Sequence, residues 1–376
     1  MTELYKLSDY HQASFRRLDE KKTYGKLQDK ITTIAIYKSG GGLGDLVQSI
    51  PLFRCFRQMF PKAKITYLGL YQRPRCDTLF SSIPYIDEYI EYVRPGKQSG
   101  FREYFHFLKK YSREFDLIVD TQSKFSPSFY LWLLKPRYLL SRSPFFSHWV
   151  LLLNPKAKVH IVAKMLSLVR ALGYREINLI PEIEISQEYL SLAKDYLKGY
   201  SGRFISILPG AGHVYKMWPK EKFAALGDRL YTMGYQVILI GSEAEKGLLL
   251  GVSKLMHNKP IIPLIDESRF GKDPVYSIGL FKASQLAIGC DCGGLHLATL
   301  AGCPVVGIYG PTNPVKSGPL GNQNVVIYKG LSCSPCRMKQ CNINHKCFEE
   351  ITPDEVIEAA NFILRDTLSS KAGTPF

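Results

Sequence analysis

The loop Ser39–Asp45 carries the first candidate catalytic residue. Its sequence, SGGGLGD, has more glycine than a turn requires, which lets the backbone approach a ligand closely. The spacing does not fit a dinucleotide fingerprint, and Asp45 at a helix start would repel a phosphate. A carboxylate held by a rigid turn could instead accept the proton of a sugar hydroxyl that attacks an anomeric carbon. The alternative is that Asp45 only complements the first turn of its helix.

A second loop, Pro209–Pro219, offers a cation. It reads PGAGHVYKMWP, so its small residues leave backbone amides accessible, and Lys216 supplies a mobile positive charge. A leaving nucleoside diphosphate gains negative charge in the transition state. A cation that binds it more tightly at that point lowers the barrier. The alternative for Lys216 is an ordinary surface lysine.

A third segment, Gly289–Ala298, has the sequence GCDCGGLHLA. Gly293 and Gly294 open a helix after a strand, so backbone amides and the helix dipole favour an anion there. Asp291 and His296 lie within about a turn and a half of each other. A single His on a helix is more often structural, but the neighbouring Asp and the phosphate-binding turn favour a functional role.

Alternating strands and helices must position these three loops. The alternation predicts mostly parallel sheets in an α/β fold, and it restarts after about residue 185. Two doubly wound units follow, with the ligand expected at the carboxyl ends of the strands, in a cleft between two facing sheets. The predicted strands are 31–37, 63–70, 115–120, 204–208, 236–240, 286–289 and 305–309. Two helices are predicted over 219–233 and 243–255, and two more are predicted to begin near Gly44 and near Gly293.

The length of 376 residues also predicts two domains, because one core rarely grows beyond about 300 residues. We expect an N-terminal acceptor-binding domain over 1–185 and a C-terminal nucleotide-sugar domain over 186–352. The segment 353–376 is predicted as a C-terminal helix, capped by Thr352 and with Pro353 in its first turn. A return of this helix to the N-terminal domain is left open.

Charge and hydropathy limit the classes of partner and the cellular location that the sequence predicts. No apolar run approaches the roughly 20 residues of a membrane span, and no secretion signal opens the chain, so a cytoplasmic protein is expected. The net charge of +16 suits an anionic membrane surface. Nucleic acid is not an expected partner, because the basic residues are spread out and no recognition motif appears. The candidate membrane-facing residues, which could equally be ordinary surface, are Arg16, Arg17, Lys21, Lys22, Lys26, Lys109, Lys110, Lys135, Arg137 and Arg142.

Four motifs together resemble glycosyltransferase family 9, the family of the ADP-heptose:lipopolysaccharide heptosyltransferases. They occur in the family's order between residues 31 and 365. The resemblance implies a GT-B fold, with two Rossmann-like domains facing a central cleft, inverting chemistry and no catalytic metal. The absence of an Asp-x-Asp pair agrees with that. The motifs are Gly44-Asp45, Pro209-Gly210-Ala211 with Lys216-x-Trp218-Pro219, Asp291-x-Gly293-x-x-His296-Leu297-Ala298, and Tyr309-Gly310-Pro311-Thr312.

The resemblance also assigns roles to residues. Asp45 matches the catalytic base, Lys216 the lysine near the donor phosphates, and Glu245 the acid toward the donor ribose, with Glu243 a weaker substitute. The remaining donor-binding positions are Asp291, Gly293, Gly294 and His296, and the acceptor-side positions are Gly42, Gly44 and Gln122, the last within Asp120-Thr121-Gln122. Two features depart from the family: Cys292 replaces a Ser or Thr, and the aromatic stretch 124–155 suggests an unfamiliar acceptor.

The predicted reaction transfers heptose from ADP-heptose to a lipopolysaccharide core or related surface glycan, at the inner face of the bacterial inner membrane. Domain closure would bring the acceptor hydroxyl to Asp45. Two alternatives stay open. The first is a protein O-heptosyltransferase of the autotransporter-modifying type, and the second is a non-catalytic protein that binds a nucleotide-sugar or nucleic acid.

The cysteines fall into two groups. Cys333, Cys336, Cys341 and Cys347 have the spacing Cys-x2-Cys-x4-Cys-x5-Cys, which suits a tetrahedral structural ion in a reducing compartment. Zinc and iron are both candidates, because some family members that modify autotransporters carry a similar iron-binding finger. His345 could replace one ligand, and free or redox-sensitive thiols are the alternative. The scattered group, expected to be packed or idle, is Cys55, Cys76, Cys290, Cys292 and Cys303.

Overall fold

A computed structural model describes residues 23–39, 42–69, 77–93, 100–122, 124–143, 145–149, 159–321, 323–336, 341 and 344–371. Arg16, Arg17, Lys21, Lys22, Gly40, Gly41 and Cys76 lie outside the described residues. The chain divides into two compact units. The N-terminal unit comprises His11–Pro74 and Ile83–Leu179, and the C-terminal unit comprises Ile180–Phe376 with Arg75–Ser82. The predicted domain boundaries at residues 185 and 352 stay predictions.

The N-terminal unit is built on a five-stranded parallel sheet with the order β3-β2-β1-β4-β5. The central strand β1 is buried along most of its length, as expected for an apolar parallel strand covered on both faces. Ile34 pairs with Ile65 on one side and with Leu117 on the other. The strands are β1 Thr33–Lys38, β2 Lys64–Gly69, β3 Glu88–Glu91, β4 Leu117–Asp120 and β5 Tyr138–Ser141.

The helices of this half connect the strands. The longest is α2, which continues through Pro51, buries apolar residues such as Val47 and Phe53, and packs against α6. In chain order the helices are α1 Tyr24–Leu27, α2 Leu43–Met59, α3 Asp77–Ser81, α4 Phe101–Tyr111, α5 Phe125–Trp132 and α6 Ile161–Ala171, and α3 belongs to the C-terminal unit.

The C-terminal unit repeats the architecture, with a five-stranded parallel sheet in the order β10-β9-β8-β6-β7. Its strands are β6 Arg203–Leu208, β7 Tyr235–Leu239, β8 Ser284–Cys290, β9 Val305–Tyr309 and β10 Val325–Tyr328. Its helices are α7 Gln187–Leu197, α8 Lys220–Thr232, α9 Lys246–Leu255, α10 Pro263–Asp266, α11 Arg269–Lys272, α12 Ser277–Ala283, α13 Gly293–Leu300, α14 Pro314–Ser317, α15 Lys346–Glu349 and α16 Pro353–Lys371. Single turns of 3-10 helix occur at Val214–Lys216, Glu243–Glu245 and Pro274–Tyr276.

The closing helix α16 begins as predicted. The Glu355 amide donates to Thr352 Oγ1 at 3.3 Å, and the Thr352 amide donates to the Glu355 carboxylate at 3.0 Å, which is a reciprocal cap. Val356 and Ile363 lie in the core of the C-terminal unit, where α16 packs against α8. Across the described residues, none of the helices combines the length and the apolarity that a bilayer span requires.

Candidate functional site

In the N-terminal unit, two adjacent strands end where the first candidates lie. Tyr37 on β1 pairs with Asp120 on β4, so Lys38 and Gln122 leave the sheet at its carboxyl edge. The chain re-enters helix at α2, whose N-cap Gly42 has an extended backbone, with Asp45 in the first turn. Gly42, Gly44, Asp45 and Gln122 therefore belong to one edge of one sheet, as the sequence predicts.

Asp45 is held by a lysine that the sequence did not single out. Lys38 Nζ lies 3.2 Å from Asp45 Oδ1, and the side chain of Lys38 is only 2% exposed whereas that of Asp45 is 37% exposed. The Nζ also lies 3.8 Å from Met165 Sδ on α6. A buried ammonium is costly without a counter-charge, so Asp45 stabilises Lys38 and Lys38 fixes the carboxylate. The exposed part of Asp45 can still meet a proton donor.

Asp120 has a structural role behind this edge. It is buried, and its Oδ2 accepts hydrogen bonds from the Ser128 hydroxyl at 2.5 Å and the Ser141 hydroxyl at 2.9 Å. Its Oδ1 accepts from the Gln122 amide at 2.8 Å, which fixes the backbone at the predicted acceptor-side residue. Burial lowers the pKa of Arg142, while the negative charge of Asp120 raises it, so the guanidinium and this carboxylate are electrostatic neighbours.

In the C-terminal unit, Lys216 lies in the 3-10 turn that follows β6. Its Nζ donates to Asp291 Oδ2 at 2.8 Å, and both side chains are largely buried. The sequence predicts a mobile cation at Lys216, and the structure pairs its ammonium with Asp291. Tyr309 is a further neighbour of Asp291. Burial raises the pKa of the Tyr309 phenol far above its usual value, and the Asp291 charge raises it further, so the hydroxyl stays protonated.

Helix α13 starts directly beside this pair. A Cβ on Gly294 would lie 2.4 Å from Leu208 Cδ2, so α13 packs closely against the side chain at the end of β6. Burial raises the pKa of the N-cap thiol of Cys292 to about 12, although the amides of Leu295 and Gly294 act in the opposite direction. Cys292 is therefore a neutral thiol at neutral pH. His296 is buried on the same helix, so it belongs to the interior side of the site.

Glu245 follows β7 at the same edge of the C-terminal sheet. Its Oε2 accepts from the Ser242 amide at 2.7 Å and from the Ser242 hydroxyl at 2.8 Å. A Cβ on Gly210 would lie 1.8 Å from Glu245 Oε1, so the carboxylate rests directly on the Gly210 backbone. Glu243 is more exposed and pairs with Lys246 at 3.6 Å. The structure thus brings Glu245 rather than Glu243 to the loop after β6.

The four-cysteine segment lies against the motif that follows β9. The Cys336 amide donates to the Pro311 carbonyl at 2.8 Å, and the Ser334 hydroxyl donates to the Gly310 carbonyl at 2.6 Å. Burial, together with the charges of Cys336, Cys341 and Cys333, raises the pKa of Cys347 to about 11, so the four sulfurs are electrostatic neighbours.

Metal binding by this segment is not decided by these contacts. In the part of the chain that the structure describes, no group of three or more His, Cys, Asp or Glu side chains is arranged to hold a metal ion. The His345 amide donates to Cys341 Sγ at 3.3 Å, which is a backbone contact and leaves the role of the imidazole open. The metal site stays a prediction. The scattered cysteines Cys55, Cys290 and Cys303 are buried, and Cys292 is half-buried.

The predicted donor residues Lys216, Glu245, Asp291, Gly293, Gly294 and His296 therefore follow three adjacent strands, β7, β6 and β8, at one edge of the C-terminal sheet. Their contacts with a ligand stay predictions. The residue that sequence reasoning missed is Lys38, and the available signal was a lysine at the last position of a buried strand, directly before the glycine loop.

Comparison with known proteins adds three findings. The family model described as glycosyltransferase family 9 (heptosyltransferase) matches residues 105–347. The chain is 26% identical to lipopolysaccharide heptosyltransferase 3 of Escherichia coli over 348 residues, which cover 88% of this chain and 98% of that protein. It resembles the structure of E. coli ADP-heptose lps heptosyltransferase II with a TM-score of 0.67 and 21% identity, over 90% of this chain and 99% of that one.

A more distant likeness is to an iron-containing glycosyltransferase. The structure of the iron-containing dodecameric glycosyltransferase TibC from enterotoxigenic E. coli matches with a TM-score of 0.53 and 14% identity, covering 90% of this chain and 77% of that chain. At this identity the likeness concerns the fold alone. Together with the two parallel sheets, the structural likenesses establish the α/β GT-B fold.

Proposed function

Because the chain belongs to glycosyltransferase family 9, the heptosyltransferase family, we propose that it transfers heptose from ADP-heptose to a lipopolysaccharide core or a related surface glycan. The donor and the acceptor follow from its relatives. The E. coli protein that shares 26% identity is a lipopolysaccharide heptosyltransferase, and a protein with the same fold is the ADP-heptose lps heptosyltransferase II of E. coli. The activity takes place in the cytoplasm, at the inner face of the inner membrane.

The proposed reaction is a single inverting displacement. The acceptor oxygen forms a bond to the anomeric carbon of the heptose on the face opposite the diphosphate, while the bond from that carbon to the diphosphate oxygen breaks. ADP leaves with the bonding electrons. The acceptor hydroxyl loses its proton to Asp45, which returns it to solvent. The chain needs no metal ion for this step, because Lys216 and the α13 amides balance the charge of the diphosphate.

The observation that carries the proposal is the state of Asp45. A general base must be charged, oriented and accessible at the same time. Lys38, 3.2 Å away and buried, supplies the opposite charge and the orientation, while the 37% exposure of Asp45 supplies the access. As the counter-charge of Lys38, Asp45 also has a structural role, but that role alone would not require a carboxylate that is 37% exposed. This favours the catalytic interpretation of Asp45 over the structural one.

Lys216 and Asp291 form the proposed donor side. Lys216 Nζ lies 2.8 Å from Asp291 Oδ2, and Asp291 directly precedes the N-cap of α13. As negative charge develops on the diphosphate, the Lys216 ammonium donates a hydrogen bond to the leaving phosphate in place of the one it donates to Asp291. Asp291 thus acts as a positioning residue for the lysine.

The test is the release of ADP from ADP-heptose, measured with and without heptose-deficient lipopolysaccharide. Release that depends on the acceptor, with a matching mass increase of the glycan by one heptose, supports the proposal. A thermal-shift panel of nucleotide-sugars identifies the donor independently, since a ligand that binds the folded state raises the melting temperature. Binding of ADP-heptose without any turnover would instead support a non-catalytic nucleotide-sugar sensor, and salt-dependent RNA binding would support a nucleic-acid binder.

A second candidate function is transfer of heptose to a protein side chain. The observation in its favour is the cysteine segment at the Gly310-Pro311 motif, whose spacing resembles the iron-binding finger of family members that modify autotransporters. The two candidate functions can be distinguished by expressing the enzyme once with a truncated lipopolysaccharide and once with an autotransporter passenger domain as the acceptor. A mass increase of the passenger protein, with unchanged lipopolysaccharide, would select the second candidate.

For the cysteine segment we propose a structural zinc or iron ion held by Cys333, Cys336, Cys341 and Cys347. Thiolates suit either ion, and the four sulfurs already influence one another electrostatically. Binding would draw them together and release their protons. Metal analysis of protein purified without chelator should find about one ion per chain. The Cys333→Ser/Cys336→Ser variant should contain none, and a metal content equal to that of the unaltered protein would reject the site.

A further inference from the structure

Five aromatic rings on the N-terminal unit form one continuous group, which we call the aromatic surface: Phe125, Phe129 and Trp132 on α5, and Phe145 and Phe146 after β5. Phe125 lies 5.6 Å from Phe145 and 5.3 Å from Phe146, measured between ring centroids. Phe129 lies 6.3 Å from Trp132, and Phe146 lies 5.8 Å from each of these two rings. The group is therefore a contiguous patch rather than scattered residues.

Much of the aromatic surface faces water. Phe125 is 59% exposed, Trp132 48% and Phe145 74%. Single exposed apolar residues are common, but a contiguous group of large rings usually marks a binding surface. The neighbouring helix α4, joined to α5 by the Tyr104 hydroxyl that donates to the Tyr130 carbonyl at 2.6 Å, also exposes Phe101 and Phe105. The proposed transfer chemistry uses none of these rings.

The chain segment that carries the aromatic surface is rich in positive charge. The sequence from Thr121 to Arg175 contains nine Lys and Arg residues and no Asp or Glu. Lys124 and Lys135 lie at the two ends of α5, and both are exposed. The acidic residue that precedes this stretch, Asp120, is buried and bound by two serine hydroxyls. A partner of the aromatic surface must therefore accept both apolar rings and positive charge.

We propose that the aromatic surface docks on an anionic lipid bilayer. Phenylalanine and tryptophan rings enter the boundary between headgroups and acyl chains, and flanking lysines bind anionic headgroups, which is how interfacial segments combine the two attractions. A second copy of the chain fits less well. An isologous contact would bring the same basic surface of two molecules together, and like charges repel.

This docking deepens the membrane location in the proposed function but does not rest on the transfer chemistry, because it requires neither a particular donor nor Asp45. It would hold the N-terminal unit, where the acceptor-side residues lie, at the surface that carries a glycolipid. A failed transfer assay would leave the docking untouched, and a failed docking assay would leave the transfer chemistry untouched.

Trp132 allows a direct test. The chain has three tryptophans, and the other two, Trp149 and Trp218, are buried, so a change in tryptophan emission on binding reports mainly Trp132. Full-length protein is mixed with vesicles of phosphatidylcholine alone or with phosphatidylglycerol, and sedimented. We expect binding to the anionic vesicles, weakened by salt, with a blue shift of the emission and quenching by lipids brominated on their acyl chains.

Matched variants assign the binding to this surface. Phe125→Ser/Phe145→Ser should weaken binding at least about tenfold, since both rings leave water on docking. Lys124→Glu/Lys135→Glu should abolish the preference for phosphatidylglycerol. The control is Phe362→Ser on α16, an exposed phenylalanine of the C-terminal unit, which should bind like the unaltered protein. Melting temperatures establish that each variant is folded.

Three results would overturn the proposal. One is equal binding of the Phe125→Ser/Phe145→Ser variant and the Phe362→Ser control. Another is sedimentation with anionic vesicles but no quenching of Trp132 by brominated lipid, which places the contact elsewhere. The third is a concentration-dependent dimer in solution that the Phe125→Ser/Phe145→Ser variant loses, because the aromatic surface would then be an interface between copies of the chain.

Discussion

Lys38 and Asp45 form an ion pair whose two ends meet different environments: the ammonium is buried and the carboxylate, 3.2 Å away, is partly exposed. Removal of either partner should therefore have unequal consequences. Without Asp45, Lys38 is left as a buried charge with no counter-charge. Without Lys38, Asp45 can still be solvated, but it loses the contact that orients it.

Asp45→Asn should lower turnover at least about a thousandfold, within the range lost with a general base, and should leave ADP-heptose affinity nearly unchanged. It should also destabilise the N-terminal unit by up to about 3 kcal/mol, because the buried Lys38 side chain loses the carboxylate with which it pairs. Thermal melts and donor titration measure both effects. In the Asp45→Asn/Lys38→Met variant, stability should return while turnover stays low. Turnover of Asp45→Asn at the level of the unaltered enzyme would remove Asp45 from the mechanism.

Lys38→Met should lower kcat about 10-fold to 100-fold through the misplaced carboxylate, with little change in the donor KM. The same substitution in the Asp45→Asn background should have no further effect on the residual rate, since the two residues act as a unit. The matched control is Lys64→Met, which breaks an exposed pair with Glu88 at 2.7 Å and should leave kcat unchanged. Additive losses in the double variant would contradict a positioning role for Lys38.

Lys216→Ala should lower kcat about 100-fold to 1000-fold, the usual loss when a donor to a developing negative charge is removed. Lys216→Arg keeps the charge and should recover part of the rate. Steady-state kinetics of both variants test this, with Lys246→Ala as the control, because Lys246 is an exposed lysine 3.6 Å from Glu243. If only the acceptor KM changed in Lys216→Ala, the assigned role on the leaving group would be wrong.

Burial should protect the cysteine of α13 from alkylation. The pKa of Cys292 is raised to about 12 and that of Cys347 to about 11, so both are protonated, and thus poor nucleophiles, at pH 8. Cys333 is exposed and should react first with iodoacetamide in metal-free protein. Time-resolved mass spectrometry of peptides gives the order. Cys292 should become reactive only as the pH approaches its raised pKa, and labelling as fast as that of Cys333 at pH 8 would contradict this.

Asp116 should make the stability of the N-terminal unit depend on pH. Burial alone would raise the pKa of Asp116, but hydrogen bonds from Thr32 and Thr33, the shortest 2.8 Å, outweigh it and lower the pKa. A lowered pKa adds stability above the unfolded value, and this stability is lost as the pH falls through the folded value. Asp116→Asn should cost about 2 kcal/mol in urea unfolding at pH 7 and less near pH 3, which lies below the unfolded pKa of an Asp carboxyl. An equal cost at both pH values would exclude this linkage.

The sequence predicts the central strands well because their apolar residues form short buried runs. β1, β2, β6, β8 and β9 all occur near their predicted positions, and Val305–Tyr309 coincides with its prediction. The strands β3, β5 and β10 were not predicted. Each has four residues and lies at the edge of its sheet. There the strand conformation depends on pairing with the neighbouring strand more than on the local sequence pattern. The helix predicted over 243–255 begins with a 3-10 turn, because Ser242 and Glu245 form a reciprocal cap.

The sequence could predict the residues of the candidate site that belong to recognisable motifs. Asp45, Lys216 and Asp291 carry recognisable spacing, but their partners do not. The burial of Lys38 depends on Met165, which is 127 positions away in sequence, and the pairing of Lys216 with Asp291 joins two loops 75 positions apart. Long-range packing of this kind leaves no local pattern, so the restraint on both charged residues could be learned only from the structure.

The contact of Glu245 with the Gly210 backbone has a thermodynamic consequence. Ser242 and the 3-10 turn already restrict the carboxylate, and it spans the loops that follow two adjacent strands. Glu245 is therefore preorganised for a ligand and does not have to change conformation to contact it. Little conformational entropy remains to be lost there, so a larger share of each contact made by Glu245 should appear as affinity.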